Sequence, residues 1–222
     1  MIRKIHTMSE KEKNRVIGFI ENFWYHNKWK TLLTLFFAVV IIVCTTQCAT
    51  RQRPDQTVFM YLSRNVSANQ TAALSEAISG CFDDYNSDGE ASILIDNASV
   101  DPTAAGTDAG MSASTKVLGE IGACNSIIYI VDDKKFDYYM QDNLSLFENL
   151  GLPDKDGYAW NWKGSELQLS LKDTGLPEDM YFCVRRVEGT ISGSDKKYKL
   201  AQNAKSALYR IMETGGISVG EK

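Results

Sequence analysis

The stretch LLTLFFAVVIIVCTTQC, residues 32–48, divides the chain into a short N-terminal part and a long C-terminal part. With the residues just before it, it forms a run of about 20 residues, which as a helix spans about 30 Å, the thickness of a bilayer core. Large apolar side chains lie on every face of this helix, whereas a helix packed against a soluble core keeps one polar face. The sequence therefore predicts a transmembrane helix over residues 31–50, in contact with membrane lipid.

Aromatic and basic side chains just before the apolar run predict how it lies in the membrane. They are the residue types that anchor a helix at the headgroup layer. The group comprises Trp24, Tyr25, Lys28, Trp29 and Lys30. Residues 1–30 contain seven basic and three acidic residues, whereas residues 31–222 contain 17 basic and 25 acidic ones. Because basic residues beside a span favour the cytoplasmic side, we expect a single-pass protein of the cell membrane with a cytoplasmic N-terminus and an extracellular C-terminal domain.

Three other interpretations of residues 32–48 remain open. A cleaved signal peptide usually has a shorter basic lead, and Thr46, Gln47 and Cys48 differ from a small-residue cleavage site. A lipoprotein anchor would use Cys44 or Cys48, but neither cysteine follows a small residue. A buried core helix would need a polar face, which the run does not have.

The position of the span predicts the domain organisation. Residues 1–30 form a basic cytoplasmic tail, residues 51–56 a short polar linker, and residues 57–222 one extracytoplasmic domain. About 170 residues suit a single domain with its own core. The acidic balance of this domain argues against nucleic-acid binding, which requires a basic surface.

Residues 57–150 alternate between β-rich runs and helix-like stretches. Strands are predicted at 57–62, 91–95 and 126–131. Ser67 and Gln70 have the spacing of a capping box at the start of the first helix, and a second helix is predicted over 110–122. Three strand–helix units in a row predict a parallel sheet with right-handed crossovers.

The third strand is followed by a predicted helix that Asp132 or Asp133 caps and that carries apolar residues as far as Leu150. Beyond it we expect a weak strand over 166–171 paired with a stronger strand over 180–187, and then a final helix over residues 196–214. The predicted fold is α/β, an N-terminal transmembrane helix followed by one βαβαβα-β-β-α domain with a mostly parallel sheet.

The distribution of histidines limits the chemistry of the predicted domain. Both histidines, His6 and His26, precede the span. A domain without histidine excludes the usual Ser-His-Asp and Cys-His arrangements. Hydrolysis by paired carboxylates stays open, although no motif singles out a pair.

An acidic loop resembles the first half of a calcium site. Asp84, Asn86 and Asp88 place oxygen ligands at alternate positions, and Gly89 stands where the chain turns sharply. The position of the bidentate glutamate of an EF-hand holds Ile95, which excludes a complete EF-hand. The alternative is a helix-to-strand turn built from residues that tolerate left-handed backbone angles. Calcium is the one cofactor that the sequence leaves open.

An aromatic row is the best binding candidate. Tyr158, Trp160 and Trp162 point to one face if this stretch is extended, and such a face can stack on a sugar ring or on a partner's apolar surface. Alternatively, the rings cover one end of the sheet as ordinary core. Asp132 and Asp133 complete the predicted binding residues, because they follow a strand at the carboxyl edge, where open α/β sheets bind ligands.

Three cysteines belong to the predicted domain. Cys81 and Cys183 fall on apolar faces of predicted elements, and Cys124 lies just before the third strand. Buried thiols are the expected state, and one disulfide is the alternative.

The chain resembles uncharacterised single-pass membrane proteins of clostridial-type bacteria in four segments. They are FWYHNKWKTLL (23–33), VFMYLSR (58–64), DDYNSDGEASILI (83–95) and SIIYIVDDKKFDYY (126–139). The C-terminal domain is similar in pattern to one lobe of extracellular solute-binding proteins, in which a strand ending in Asp followed by an aromatic-bearing helix recurs, as in IVDDKKF (130–136). Those proteins clamp a ligand between two lobes, whereas this chain supplies one, so no binding residue is carried over from them.

Placement, composition and resemblance together lead to one hypothesis and one alternative. We expect a membrane-anchored extracytoplasmic binding or interaction domain that is non-catalytic and accessory to a transport or cell-envelope system. Its expected partner is an envelope or transporter protein. The alternative is a carboxylate-dependent enzyme acting on an envelope substrate.

Overall fold

The computed structural model describes residues 10–50, 54–141, 146–187 and 195–216. Residues 1–9 of the predicted tail and 51–53 of the predicted linker lie outside the described residues, as does the side chain of Cys48. The chain divides into two units, one ending at Gln52 and the other beginning at Arg53.

The described part of the first unit is one helix, α1, which spans Glu10–Thr50. Its 27-residue segment Glu21–Gln47 is, by length and composition, long and apolar enough to cross a membrane. The large apolar side chains of this segment are exposed, as expected for a helix whose neighbour is lipid. The helix runs without a break through residue 30, where the sequence placed the boundary between the tail and the span.

The described residues of the second unit form one five-stranded sheet. Its strands are β1 (Gln56–Tyr61), β2 (Ile93–Asn97), β3 (Ile128–Val131), β4 (Ala159–Asn161) and β5 (Tyr181–Val184). The strand order is β2-β1-β3-β5-β4. β1 pairs in parallel with β2 and β3, whereas β5 pairs antiparallel with β3 and β4. The α/β class is confirmed, but the sheet is mixed, and the prediction of a mostly parallel sheet was wrong.

Five helices accompany the described part of the sheet. They are α2 (Ala68–Ser79), α3 (Asp108–Ala123), α4 (Asp133–Met140), α5 (Glu166–Ser170) and α6 (Asp195–Thr214). Leu74 and Ile78 of α2 share one core cluster with the apolar side of α6, and Val117 of α3 shares the other cluster with Phe136 and Tyr139 of α4. Alternate residues of β1, β3 and β5 point into these two clusters, so both faces of the sheet are covered.

Local capping signals start two helices where the sequence predicts. The Ser67 hydroxyl accepts from the Gln70 amide (3.3 Å) and the Gln70 side chain accepts from the Ser67 amide (2.8 Å). Asp132 caps α4 by accepting from the Lys135 amide at 3.0 Å. The predicted capping box and the predicted acidic cap are therefore confirmed.

The strand predicted over residues 166–171 was wrong, because this segment forms α5 instead. Ser165 caps it by accepting from the Gln168 amide at 3.1 Å, and the Gln168 side chain accepts from the Gly164 amide at 2.9 Å. Leu167 and Leu171, four positions apart, are both buried. That spacing fits one face of a helical turn, and β4 takes the place beside β5 that the sequence assigned to residues 166–171.

The helix predicted to continue to Leu150 ends at Met140. Beyond the helix, the backbone pairs with the continuation of β5 instead. The Arg186 amide donates to the Leu146 carbonyl (2.8 Å), and the Glu148 amide donates to the Val184 carbonyl (2.9 Å). Cross-strand hydrogen bonding thus replaces helical hydrogen bonding here, and the apolar side chains keep their place in the core.

The three cysteines of this unit, Cys81, Cys124 and Cys183, are buried, as the sequence led us to expect. Cys81 and Cys183 are free thiols. Burial raises the pKa of the Cys183 thiol well above its ordinary value. A neutral buried thiol packs as a small apolar side chain.

Candidate binding site at the carboxyl edge of the sheet

The order of the first three strands creates a topological switch point at one edge of the sheet. The chain leaves β1 for β2 on one side and then crosses to β3 on the other side. The two connecting helices, α2 and α3, lie against opposite faces. Open α/β sheets bind ligands where the direction of the connections reverses, outside the carboxyl ends of the strands. That place is the edge formed by the ends of β1 and β3.

Asp132 occupies the space between these two strand ends. Its carboxylate accepts from the Ser63 amide at 2.5 Å and from the Ser63 hydroxyl at 3.3 Å, in addition to capping α4. The residue is buried. Asp132 is one of the predicted binding residues. In the structure, the hydrogen bonds that its carboxylate accepts link the loop after β1 to the start of α4.

Asp133, also predicted as a binding residue, is exposed and belongs to a charged cluster centred on Lys155. The Lys155 ammonium lies 2.6 Å from its carboxylate and 3.8 Å from the carboxylate of Asp137. The side chains of Asp133 and Asp137 are 61% and 69% exposed, whereas that of Lys155 is 24% exposed. The cluster therefore presents two carboxylates to solvent around one half-buried lysine.

The charges in this cluster shift the pKa values of its members. A hydrogen bond from Lys155 holds the pKa of the Asp133 carboxyl below its ordinary value; partial burial opposes this effect, and the Lys155 charge and a hydrogen bond from Tyr181 add to it. Partial burial alone would lower the pKa of Lys155, but hydrogen bonding to Asp133 and the charges of Asp133 and Asp137 outweigh it, so this pKa is raised. Partial burial and the charge of Asp133 raise the pKa of Tyr181.

Replacement of Lys155 by methionine is expected to raise the pKa of Asp133 toward its ordinary value of about 3.9. Because the folded pKa of Asp133 lies below the unfolded one, its interaction with Lys155 stabilises the fold above about pH 4 and is lost as the pH falls through the lowered pKa. Carboxyl ¹³C NMR titration measures the shift. Replacement of the exposed neighbour Lys134 by methionine is the control, and an unchanged Asp133 pKa in the Lys155→Met variant would contradict the assignment.

Two further basic residues line the same edge. The Lys135 ammonium lies 3.9 Å from the centre of the Tyr61 ring, a cation–π contact. Arg64 forms an exposed ion pair with Asp179 at 2.9 Å. Together with the Asp133 cluster, these residues give the edge a mixture of charged and aromatic groups, which suits recognition of a charged partner surface.

The predicted aromatic row is divided between the two faces of the sheet. Trp160 and Trp162 are fully buried and pack against Phe182 in the cluster that contains α2 and α6. Tyr158 is half-buried and packs on the other cluster, because the backbone at Tyr158 is not extended and the alternation starts after it. The two indoles match the core alternative, whereas Tyr158 does not share their face, and ligand binding by this row stays a prediction.

The predicted calcium loop forms a turn closed by its own side chains. The Asp84 carboxylate accepts from the amides of Asp88 (3.2 Å) and Gly89 (2.8 Å), and the Asn86 carbonyl oxygen accepts from the Asp88 amide (2.8 Å). Ser87 and Gly89 have left-handed φ angles of 61° and 97°. Among the residues that the structure describes, no group of three or more His, Cys, Asp or Glu side chains is placed to hold a metal ion. These contacts match the turn alternative, and calcium binding stays a prediction.

Asp55 is a structural residue that the sequence did not reveal. The sequence placed it in the polar linker, but it is buried, and one carboxylate oxygen accepts from the amides of Tyr85 (2.8 Å) and Asn86 (2.7 Å). The other oxygen accepts from the Ser92 amide at 2.8 Å. Asp55 thus ties the acidic loop to the start of β1. The one sequence feature that could have indicated this role is the position of an acidic residue just before a buried strand.

Replacement of Asp55 by alanine is expected to lower the free energy of unfolding by about 3 kcal/mol, since three amides lose a charged acceptor. Asp55→Asn keeps one acceptor oxygen and is expected to cost about half as much. Urea denaturation of the full chain in detergent measures both. The matched control is Asp88→Ala in the same loop, where an exposed carboxylate accepts from the Glu90 amide at 3.1 Å. A loss at Asp88 equal to that at Asp55 would refute the role of Asp55.

Arg185 is a second residue that the sequence did not single out. It is buried, and its guanidinium donates to the carbonyls of Glu120 (3.2 Å) and Ile121 (2.7 Å) in the last turn of α3. It also contacts the Tyr129 hydroxyl at 3.2 Å. The cation satisfies carbonyl groups at the negative end of the helix and links α3 to β3 and β5.

A pocket of about 480 Å³ lies near the opposite edge, around Asp55, Asp96 and Glu120. Its carboxylates are already engaged within the fold. The Glu120 carboxylate accepts from the Ser126 amide at 2.6 Å, and Asp96 pairs with Lys116 at 2.5 Å. The carboxyl edge, where Asp133 and Asp137 remain exposed, is therefore the stronger candidate site.

Comparison of the chain with protein-family models, with curated proteins and with solved structures finds no match.

Proposed function

We propose that this chain is a membrane-anchored, extracytoplasmic binding or interaction domain, non-catalytic and accessory to a transport or cell-envelope system. The observation that carries the proposal is the cluster of Asp133, Asp137 and Lys155 close to the carboxyl end of β3. The two carboxylates are exposed at the position where open α/β sheets bind ligands. The partner is an envelope or transporter protein with a basic surface complementary to these acids.

The membrane part of the proposal rests on α1 and on charge. The apolar segment Glu21–Gln47 is long and apolar enough to cross a membrane, and the excess of basic residues before it favours a cytoplasmic N-terminus. The domain then lies on the extracellular side. Fusion of alkaline phosphatase or of green fluorescent protein to the C-terminus tests the orientation. Active phosphatase and a dark fluorescent fusion are expected, and the reverse pattern would refute the orientation.

The alternative of a carboxylate-dependent enzyme is less well supported. Such chemistry needs two acids placed around a bound substrate. Asp133 and Asp137 lie one helical turn apart on the exposed side of α4, and Lys155 lies near both. This arrangement suits binding through charge rather than proton transfer in an enclosed site.

Two exposed tyrosines allow a matched crosslinking test in the native host. A photoreactive phenylalanine derivative replaces Tyr138 on α4, beside the cluster, or Tyr198 on α6, which packs on the opposite face. The two side chains are 38% and 43% exposed. We expect one discrete protein adduct from position 138, none from position 198, and loss of the adduct when Asp133 and Asp137 are both replaced by lysine.

Equal adducts at both positions, or none at position 138, would refute a partner surface at the carboxyl edge. An adduct that survives the double lysine replacement would refute recognition through the two acids. The control for folding is urea denaturation of the same variants, each of which should still unfold in one cooperative transition. The double lysine variant loses the ion pair with Lys155, so a small decrease of its midpoint is expected.

A further inference from the structure

We propose that residues 154–157 form a strained strap over the carboxyl edge, held closed by the ion pair between Lys155 and Asp133, and that breaking this pair opens the strap and uncovers the rings of Phe136 and Tyr181. This inference concerns regulation of the candidate site and rests on the proposed function for its significance.

The strain lies in three consecutive left-handed residues. Lys155, Asp156 and Gly157 have φ angles of 50°, 56° and 95°. Glycine adopts such angles at little cost, but a residue with a side chain populates them about tenfold less. A lysine and an aspartate side by side in this conformation persist only where surrounding contacts hold them, and strain of this kind clusters at ligand clamps and switches.

Backbone hydrogen bonds close the base of the strap. The Asp154 amide donates to the Ala159 carbonyl (3.0 Å), and the Ala159 amide donates back to the Asp154 carbonyl (3.2 Å). The Asn149 side-chain amide donates to the Asp156 carbonyl at 2.9 Å. A β-carbon at Gly157 would lie only 2.6 Å from the Asn149 side-chain oxygen, and the φ angle of 95° also favours glycine there.

The Lys155 side chain ties the strap to α4. Its ammonium lies 5.1 Å from the centre of the Phe136 ring and 5.3 Å from that of Tyr181, besides its ion pair with Asp133. The lysine therefore covers two aromatic rings in the closed state. Once the ion pair breaks, relaxation of the left-handed residues favours movement of the strap away from these rings.

Hydrogen exchange on the full chain in detergent tests the strap without requiring a partner. The reporters are the amides of Gly157 and Tyr158, which donate to the Asp154 and Lys155 carbonyls at 3.1 Å. Lys155→Met removes the ion pair and is expected to speed their exchange about tenfold. Asp156→Gly removes strain and is expected to slow it about tenfold. The double variant should return close to the wild-type rate.

The matched control is Arg64→Met, which removes an ion pair at the same edge that holds no strained turn. It should leave exchange at Gly157 and Tyr158 within twofold of wild type. If Lys155→Met fails to fold, Asp133→Asn removes the same ion pair from the side of α4 and should give the same acceleration.

The strap is refuted if removal of the ion pair changes strap exchange by less than twofold, or if Asp156→Gly does not offset that removal. It is equally refuted if hydrogen exchange at the β3 amides accelerates together with exchange in the strap. The ion pair between Lys155 and Asp133 would then stabilise the whole domain. Crosslinking at position 138 reports on the partner surface separately, so failure of the strap and failure of the proposed function are distinguishable.

Discussion

Replacement of Trp160 by alanine is expected to lower the free energy of unfolding by about 3–5 kcal/mol. The indole is fully buried, 5.4 Å from the Phe182 ring, and loss of its volume leaves a cavity between the sheet and α6. Equilibrium urea denaturation of the full chain in detergent measures the loss. A Trp160→Ala protein with wild-type stability would mean that the ring is a surface group after all.

The phenylalanine variants of the two tryptophans separate packing from hydrogen bonding. The Trp162 indole nitrogen donates to the Pro177 carbonyl at 3.0 Å, whereas the Trp160 nitrogen is buried without a described partner. Trp162→Phe should therefore cost about 1 kcal/mol more than Trp160→Phe, because it leaves a buried carbonyl unpaired. Tyr198→Ala, at an exposed ring on α6, is the control and is expected to change stability by less than about 0.5 kcal/mol.

Replacement of Arg185 by methionine is the second change with a large expected effect, a loss of about 3–5 kcal/mol. Methionine fills much of the space but donates nothing, so the carbonyls of Glu120 and Ile121 lose their partner. Urea denaturation, with circular dichroism following the helices, measures the effect.

Two variants provide the controls for Arg185. Arg185→Lys keeps the charge but lacks the planar fork that reaches two carbonyls and the Tyr129 hydroxyl, so an intermediate loss of about 2 kcal/mol is expected. Arg210→Met removes an exposed ion pair with Asp83 (2.8 Å) and should cost less than about 1 kcal/mol. Equal losses at Arg185 and Arg210 would show that burial of Arg185 contributes nothing.

The part of the fold that was predictable from sequence depends on local signals. The Ser67–Gln70 capping box and the Asp132 cap lie within one helical turn of the groups they bind, so their spacing alone identifies them. Uninterrupted apolar runs likewise indicate strands such as β3. These signals were sufficient for the first three strand–helix units and for the apolar helix at the N-terminus.

The mixed sheet was not predictable, because the partner of a strand is a non-local property. β5 pairs with β3 across about 50 residues of sequence. The residues of the two strands do not indicate whether this pairing is parallel or antiparallel. The short run at 166–171 fits a strand and a helical turn equally well, and only the cap at Ser165 distinguishes them.

The candidate site was predictable in place but not in detail. Asp133 follows a strand, which puts it at the carboxyl edge. Its partner Lys155 comes from a distant turn, and the left-handed backbone that brings Lys155 there has no motif of its own. Trp160 and Trp162 have the composition of a binding platform, and only tertiary burial shows that they are core.

The place of β3 between β1 and β5 also has a consequence for how the chain is made. All four residues of β3 are buried, yet the strand that covers one side of it, β5, is synthesised about 50 residues later. Until then the growing chain carries an apolar strand with an open edge, the kind of surface on which polypeptides aggregate. We therefore expect chains truncated before residue 181 to be degraded or to aggregate, and the complete chain to depend on chaperones during that interval.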